Sequence, residues 1–152
     1  MHNIIYKEHI SKPIGNLYCL FNYEPKNYKK DKWYILDQRL KAFGSHFLLI
    51  RNSSEFAERF RKALNKLSIE FDSGKIEYQD FSKYSGKKNL FQKSLDYSYQ
   101  KEVRILLYTG LNIPFKFSIG NIEDIAQMFS SDHLKFMKAG NIQQSLQNKF
   151  SI

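Results

Sequence analysis

Between residues 53 and 67 the apolar side chains recur at helical spacing, while the apolar runs around them are too short for helices; this change of period limits the chain to mixed folds. Phe56, Phe60, Ala63, Leu64 and Leu67 form one stripe, and Asn52-x-x-Glu55 ahead of them has the pattern of a capping box. Residues 3–7 and 16–22 read as two strands separated by Lys12-Pro13-Ile14-Gly15. His46-Phe47-Leu48-Leu49-Ile50 reads as a buried strand. Ile69-Glu70-Phe71 and Lys75-Ile76-Glu77-Tyr78 flank Asp72-Ser73-Gly74, which predicts a hairpin with a bulged turn.

Further along, Tyr99 to Tyr108 predicts a long strand with Val103, Ile105 and Leu107 on one face and Gln100, Glu102 and Arg104 on the other. Pro114 precedes a second alternating run, Phe115 to Ile119. Two more helices are expected. Trp33, Leu36, Leu40 and Phe43 mark one, with Asp31 as its cap and Gly44 ending it in a left-handed conformation; Ile122, Ile125, Ala126 and Phe129 mark the other. Residues 141–152, with Ile142, Leu146 and Phe150 four apart, read as a terminal helix or a frayed tail. The expectation is one α+β domain over residues 1–152, a mostly antiparallel sheet with two to four helices.

A chain of 152 residues with 13 Phe and 10 Tyr can fill a single core, which excludes disorder as the main description. No run approaches the roughly 18 consecutive apolar residues of a membrane span, and the first residues lack the pattern of a signal peptide. A cytoplasmic protein is expected, with no membrane partner. Cys19 is the sole cysteine and falls in an apolar strand pattern, so it is expected in the core.

The formal net charge is +9, which attracts polyanions at low salt. Most of the positive residues are Lys; Arg occurs only at Arg39, Arg51, Arg59, Arg61 and Arg104. Arg is the side chain suited to bidentate reading of phosphates and guanines, so the charge fits either a functional surface or the residue usage of an A/T-rich genome. Two Lys-rich segments are candidate binding surfaces: Lys26, Lys29, Lys30 and Lys32 ahead of Trp33 and Tyr34, and Lys83, Lys87, Lys88 and Lys93 around Tyr84. Cations interleaved with rings suit single-stranded nucleic acid, although Trp33 also belongs to a helical stripe.

Several chemistries lack their residues. His2, His9, His46 and His133 lie far apart and one Cys cannot supply paired zinc ligands, so no metal site is expected. There is no phosphate-binding Gly-rich loop, no dinucleotide fingerprint and no nucleophile elbow. His46, after Gly44 and Ser45 at the mouth of a strand, is either an acid–base imidazole or a strand-edge residue bonded to backbone.

Phe91-Gln92-Lys93 followed by Tyr99-Gln100-Lys101-Glu102-Val103-Arg104-Ile105 resembles the signature of a group of uncharacterised bacterial and phage proteins, in which a Phe-x-Lys element precedes a Tyr-Gln-x-Glu-hydrophobic-Arg-Ile strand. Looser similarity extends back through Leu36 to Arg39 and Phe43-Gly44 to Tyr18-Cys19-Leu20. Gln100-x-Glu102 is also similar to the Gln-x-Glu element of ADP-ribosyltransferases. That resemblance implies NAD as cofactor, Glu102 stabilising the cationic sugar, Arg51 or His46 holding NAD, and Ser53 or Ser54 as a supporting hydroxyl. On the residues alone, Gln100, Glu102 and Arg104 are equally a polar sheet face.

The leading expectation is a small, basic, non-enzymatic interaction protein of phage or mobile-element type. It would bind, and in the inhibitor form of this reading block, a larger protein or nucleoprotein such as a host defence nuclease, in the manner of an anti-CRISPR. Its partner would present an acidic surface, and no cofactor is implied. The alternatives are an RNA- or DNA-binding protein and the NAD-dependent transferase.

Overall fold

The computed structural model describes residues 15–22 and 36–136. The expected strand at 3–7, the helix start at Asp31 and Trp33, the first Lys-rich segment and the terminal helix or tail lie outside these residues. Among the described residues the chain forms one α-helix, three short 3-10 helices and seven strands. It is an α+β domain with mostly antiparallel pairing.

The central sheet has three antiparallel strands, β1 (Asn16–Phe21), β6 (Glu102–Leu107) and β3 (Phe71–Lys75), with β6 in the middle. Asn16 and Phe71 both lie opposite Leu107, so β1 and β3 flank β6 in matched register. Gly15 makes this register possible. A Cβ built there would lie 1.7 Å from the Leu107 carbonyl oxygen, and its φ of 155° is one that side-chain-bearing residues rarely adopt.

Helix α1 (Ser53–Lys66) covers one face of this sheet, and the Asn52 side chain caps it by accepting the Glu55 N–H at 3.0 Å. The other half of the capping box is replaced, because Glu55 turns to pair with Arg59 at 2.7 Å. Phe56, Phe60 and Leu64 are buried with Leu107 and Ile125, against Leu20, Ile105 and Phe71 of the sheet. Leu67 is 48% exposed, so the stripe ends one turn earlier than its spacing indicates. Phe60 is the hub of the aromatic packing, with ring centroids 5.5 Å from Tyr18, 5.9 Å from Phe56 and 5.1 Å from Phe117.

The segment 76–101 folds over the opposite face of the sheet. It carries β4 (Glu77–Gln79), β5 (Gln92–Ser94), which pairs with β4 in parallel, and the 3-10 helix Leu95–Gln100. A separate antiparallel pair, β2 (His46–Ile50) with β7 (Ala126–Ser130), is stapled by Phe47 stacked on Phe129 at 5.5 Å. Phe47 also joins Phe21 and Leu40 against a second small core, Leu36 with Leu134.

Several expectations are corrected. Asp72-Ser73-Gly74 lies inside β3 and is no turn; Gly74 is small because the Phe91 ring lies over it, 3.3 Å from where a Cβ would stand. The strand from Tyr99 begins only at Glu102, since Lys101 takes a left-handed conformation (φ 40°) that separates it from the 3-10 helix. Phe115 to Ile119 has no regular structure, its alternation serving to send Phe115, Phe117 and Ile119 into the core. Ala126 to Phe129 is strand and not helix, because pairing with β2 overrides the helical spacing. The helix read from Trp33 to Phe43 is, where described, a 3-10 helix, Gln38–Phe43, capped by Asp37. Gly44 follows it at φ 154° and ψ 170°, a conformation that side-chain-bearing residues rarely adopt but not the left-handed helical one expected. Strand β2 is only half-buried, with Leu48 49% exposed.

Leu64 has no solvent exposure, and Leu64→Ala should lower unfolding free energy by about 2–5 kcal/mol through lost burial and the cavity left behind. Denaturant titration checks this; a loss below about 1 kcal/mol would mean that α1 does not form the core.

Candidate functional site

Strand alternation sends Glu102, Arg104 and their neighbour Cys19 of β1 to the face away from α1. There the folded-back segment covers Glu102 and Arg104, leaving Glu102 only 7% exposed on the central strand. A lone carboxylate buried this deeply would be untenable, and the chain surrounds it with donors. Arg104 Nε donates to Glu102 Oε1 at 2.7 Å and Lys93 Nζ to Oε2 at 2.8 Å. Lys93 Nζ also donates to Gln100 Oε1 at 2.5 Å, so one ammonium joins both members of the Gln-x-Glu pair. The Glu102 N–H donates to Tyr78 Oη at 2.8 Å, and Arg104 Nη1 donates to the Leu90 carbonyl.

Burial opposes ionisation of Glu102, but the hydrogen bonds from Arg104, Cys19 and Lys93 outweigh it and hold the carboxyl at about 2. The same contact acts in reverse on Cys19, whose thiol is pushed up to about 11 by burial and by the neighbouring carboxylate. Cys19 is exposed beside this cluster and not packed in the core, contrary to expectation; its thiol stays protonated near neutral pH.

This geometry sorts the sequence candidates. Lys93 belongs to the buried cluster and not to an exposed basic surface. Lys83, Lys87 and Lys88 are exposed on the loop between β4 and β5, whose shape comes from its own rings. Tyr84 Oη donates to the Lys87 carbonyl at 3.2 Å and accepts from Gln92 Nε2 at 3.1 Å, while its ring lies so close over Gly86 that a Cβ there would meet it at 2.8 Å. Lys88 Nζ sits 4.0 Å above the Phe81 ring, and Lys83 lies 3.4 Å from Asp80.

His46 and Arg51 are on and just after β2, remote in topology from β6. His46 Nδ1 contacts Ser45 Oγ at 2.9 Å, and Arg51 Nη2 donates to the Glu123 and Asp124 carbonyls at 3.3 Å. Ser53 and Ser54 start α1. Thus Gln100 and Glu102 converge, whereas the described contacts of His46 and Arg51 lead elsewhere. The Glu102 oxygens that a bound NAD ribose would meet already accept from Arg104 and Lys93.

What sequence reasoning missed is the role of Lys93, Tyr78 and Arg104 around Glu102. The signal was present in Phe-x-Lys and Glu-x-Arg, but only the fold of 76–101 brings the two elements together. Among the described residues, no group of three His, Cys, Asp or Glu side chains is placed to hold a metal, and no helix is long and apolar enough to cross a membrane. An open depression of about 800 Å³ lies beside β3, where Tyr108 Oη donates to Asp72 Oδ2 at 2.5 Å, a bond that pushes the phenol up.

Because the folded carboxyl sits below its ordinary 4.5, its stabilisation is complete above that pH and disappears as pH falls towards about 2. The effect is on the order of 3 kcal/mol. Glu102→Gln should therefore lower stability at neutral pH by about 3–5 kcal/mol and flatten the decline in acid, read by denaturant midpoints from pH 7 to 2. Parallel curves for the two proteins would show that Glu102 is not the buried anion. In comparison with known proteins, no family profile, curated protein or solved structure matches this chain.

Proposed function

We propose that the protein is a non-enzymatic interaction protein of phage or mobile-element type, which covers an acidic surface on a larger protein or nucleoprotein such as a host defence nuclease. The observation that carries this reading is the division of labour among its charges. The one buried carboxylate on the central strand is saturated by the chain's own donors, while Lys83, Lys87 and Lys88 stand exposed on a loop held in shape by Tyr84.

The arginines reinforce it. Arg39 pairs with Asp37 at 2.7 Å, Arg59 with Glu55 and Asp124, Arg61 with Glu58 and Arg104 with Glu102, while Arg51 bonds two carbonyls. Exposed positive charge is therefore mainly lysine, which steers encounter through long-range attraction more than through a rigid bidentate grip.

The test compares the native chain with Lys83→Glu/Lys87→Glu/Lys88→Glu in binding to the partner recovered from the native host cell. Association at low salt should slow at least about tenfold in the variant, and the two proteins should converge as salt screens the charges. Equal association rates at low salt would remove the proposal.

A further inference from the structure

We infer that the 3-10 helix Leu95–Gln100 and the Lys83–Lys88 loop form a platform for single-stranded nucleic acid. This deepens the reading above, on which it rests, by naming the component of a nucleoprotein that the basic surface would touch.

Register brings the two elements together. Because β4 and β5 run parallel with Gln79 opposite Ser94, the loop leaves β4 at Asp80 beside the point where the 3-10 helix begins. On that helix Tyr97 is 45% exposed, and Lys93 Nζ lies 5.1 Å from its centroid. Tyr99 carries the Arg39 guanidinium 3.7 Å above its ring, and the Arg39 side chain is 60% exposed. An exposed ring of this element and a planar cation, brought to its second ring by the 3-10 helix Gln38–Phe43, therefore offer flat faces of the kind on which unpaired bases stack. Lys101, exposed at the left-handed turn that follows, adds positive charge at the far end, and Lys83, Lys87 and Lys88 add it at the near end.

The carboxylates nearby are offset in part: Asp37 is paired with Arg39 and Asp80 lies 3.4 Å from Lys83, while Asp96, which accepts from Ser94 Oγ, keeps its charge. Single strands are favoured over duplex for two reasons. A duplex keeps its bases stacked inside and offers nothing to an exposed Tyr97, and the guanidiniums of Arg39, Arg59, Arg61 and Arg104 already face carboxylates, which leaves them fewer donors for reading a groove.

Anisotropy of a labelled homopyrimidine strand, as RNA and as DNA, with its duplex as comparison, tests this across a salt series. The native chain should bind single strands more tightly than duplex, with log K falling linearly against log salt at a slope of roughly −2, as for about three phosphates. Tyr97→Ala should weaken binding about tenfold or more with the slope kept, and Tyr97→Phe should retain affinity because the ring remains. Lys83→Glu/Lys87→Glu/Lys88→Glu should abolish most of the slope. No binding of either strand at low salt, duplex bound as tightly as single strand, or Tyr97→Ala at native affinity would each overturn the inference. If the strands do not bind while the lysine variant still loses the host-cell partner, the platform is refuted and the protein-directed function stands.

Discussion

A carboxylate buried on the central strand is the constraint around which this fold is arranged. Glu102 lies in the middle of a sheet whose other face is committed to α1, so the face it occupies must be covered by something polar enough to receive a charge. The chain supplies that cover from residues 76–101. Tyr78 from β4 meets the Glu102 backbone, Lys93 from β5 meets its carboxylate, and Arg104 links the carboxylate to the Leu90 carbonyl just ahead of β5. Both ends of the β4–β5 excursion are thus tied to one residue. Pairs of this kind are costly to break because the surviving charge stays buried without a partner. The three-residue strands β4 and β5 have few ladder bonds with which to hold themselves in place.

The consequence reaches the surface. The loop bearing Lys83, Lys87 and Lys88 hangs between two anchored strands and is shaped by Tyr84 folded over Gly86, so its lysines are presented on a fixed support. Preorganisation of this sort lowers the ordering cost of binding. The 3-10 helix that follows β5 projects Tyr97 from the same support, and its end at Lys101 is fixed by the turn into β6. Interior ion pairing and exterior charge are in this sense linked: Arg104 and Lys93 hold the buried carboxylate, and the loop they anchor carries Lys83, Lys87 and Lys88 outward.

How much of this was legible in the sequence depends on the distance over which each signal acts. Helix α1 and strand β1 were plain because stripe, cap and short apolar run are local. The face assignment of β6 was also plain, since alternation alone separates Ile105 and Leu107 from Glu102 and Arg104. Gly74 was misread because a glycine after Asp-Ser looks like a turn, whereas its reason for being small is the Phe91 ring seventeen residues later in the chain. Ala126 to Phe129 was misread because i, i+3 spacing in four residues is weak against pairing with β2, more than seventy residues away. Cys19 looked apolar by its neighbours, yet its side chain belongs to the polar face because of register with Arg104. For the candidate site, the Gln-x-Glu pair was visible and its saturation by Lys93 was not, since Lys93 read as one more residue of a basic loop.

Hydrogen exchange on the native chain and on Glu102→Gln tests the central claim most directly, because it reads anchoring segment by segment. If Glu102 holds the excursion to the sheet, amides of β4, β5 and Leu95–Gln100 should lose protection together in the variant, while those of α1 and the β1–β6–β3 sheet keep most of theirs. Unchanged protection across residues 76–101, or a uniform loss over the whole molecule, would contradict it.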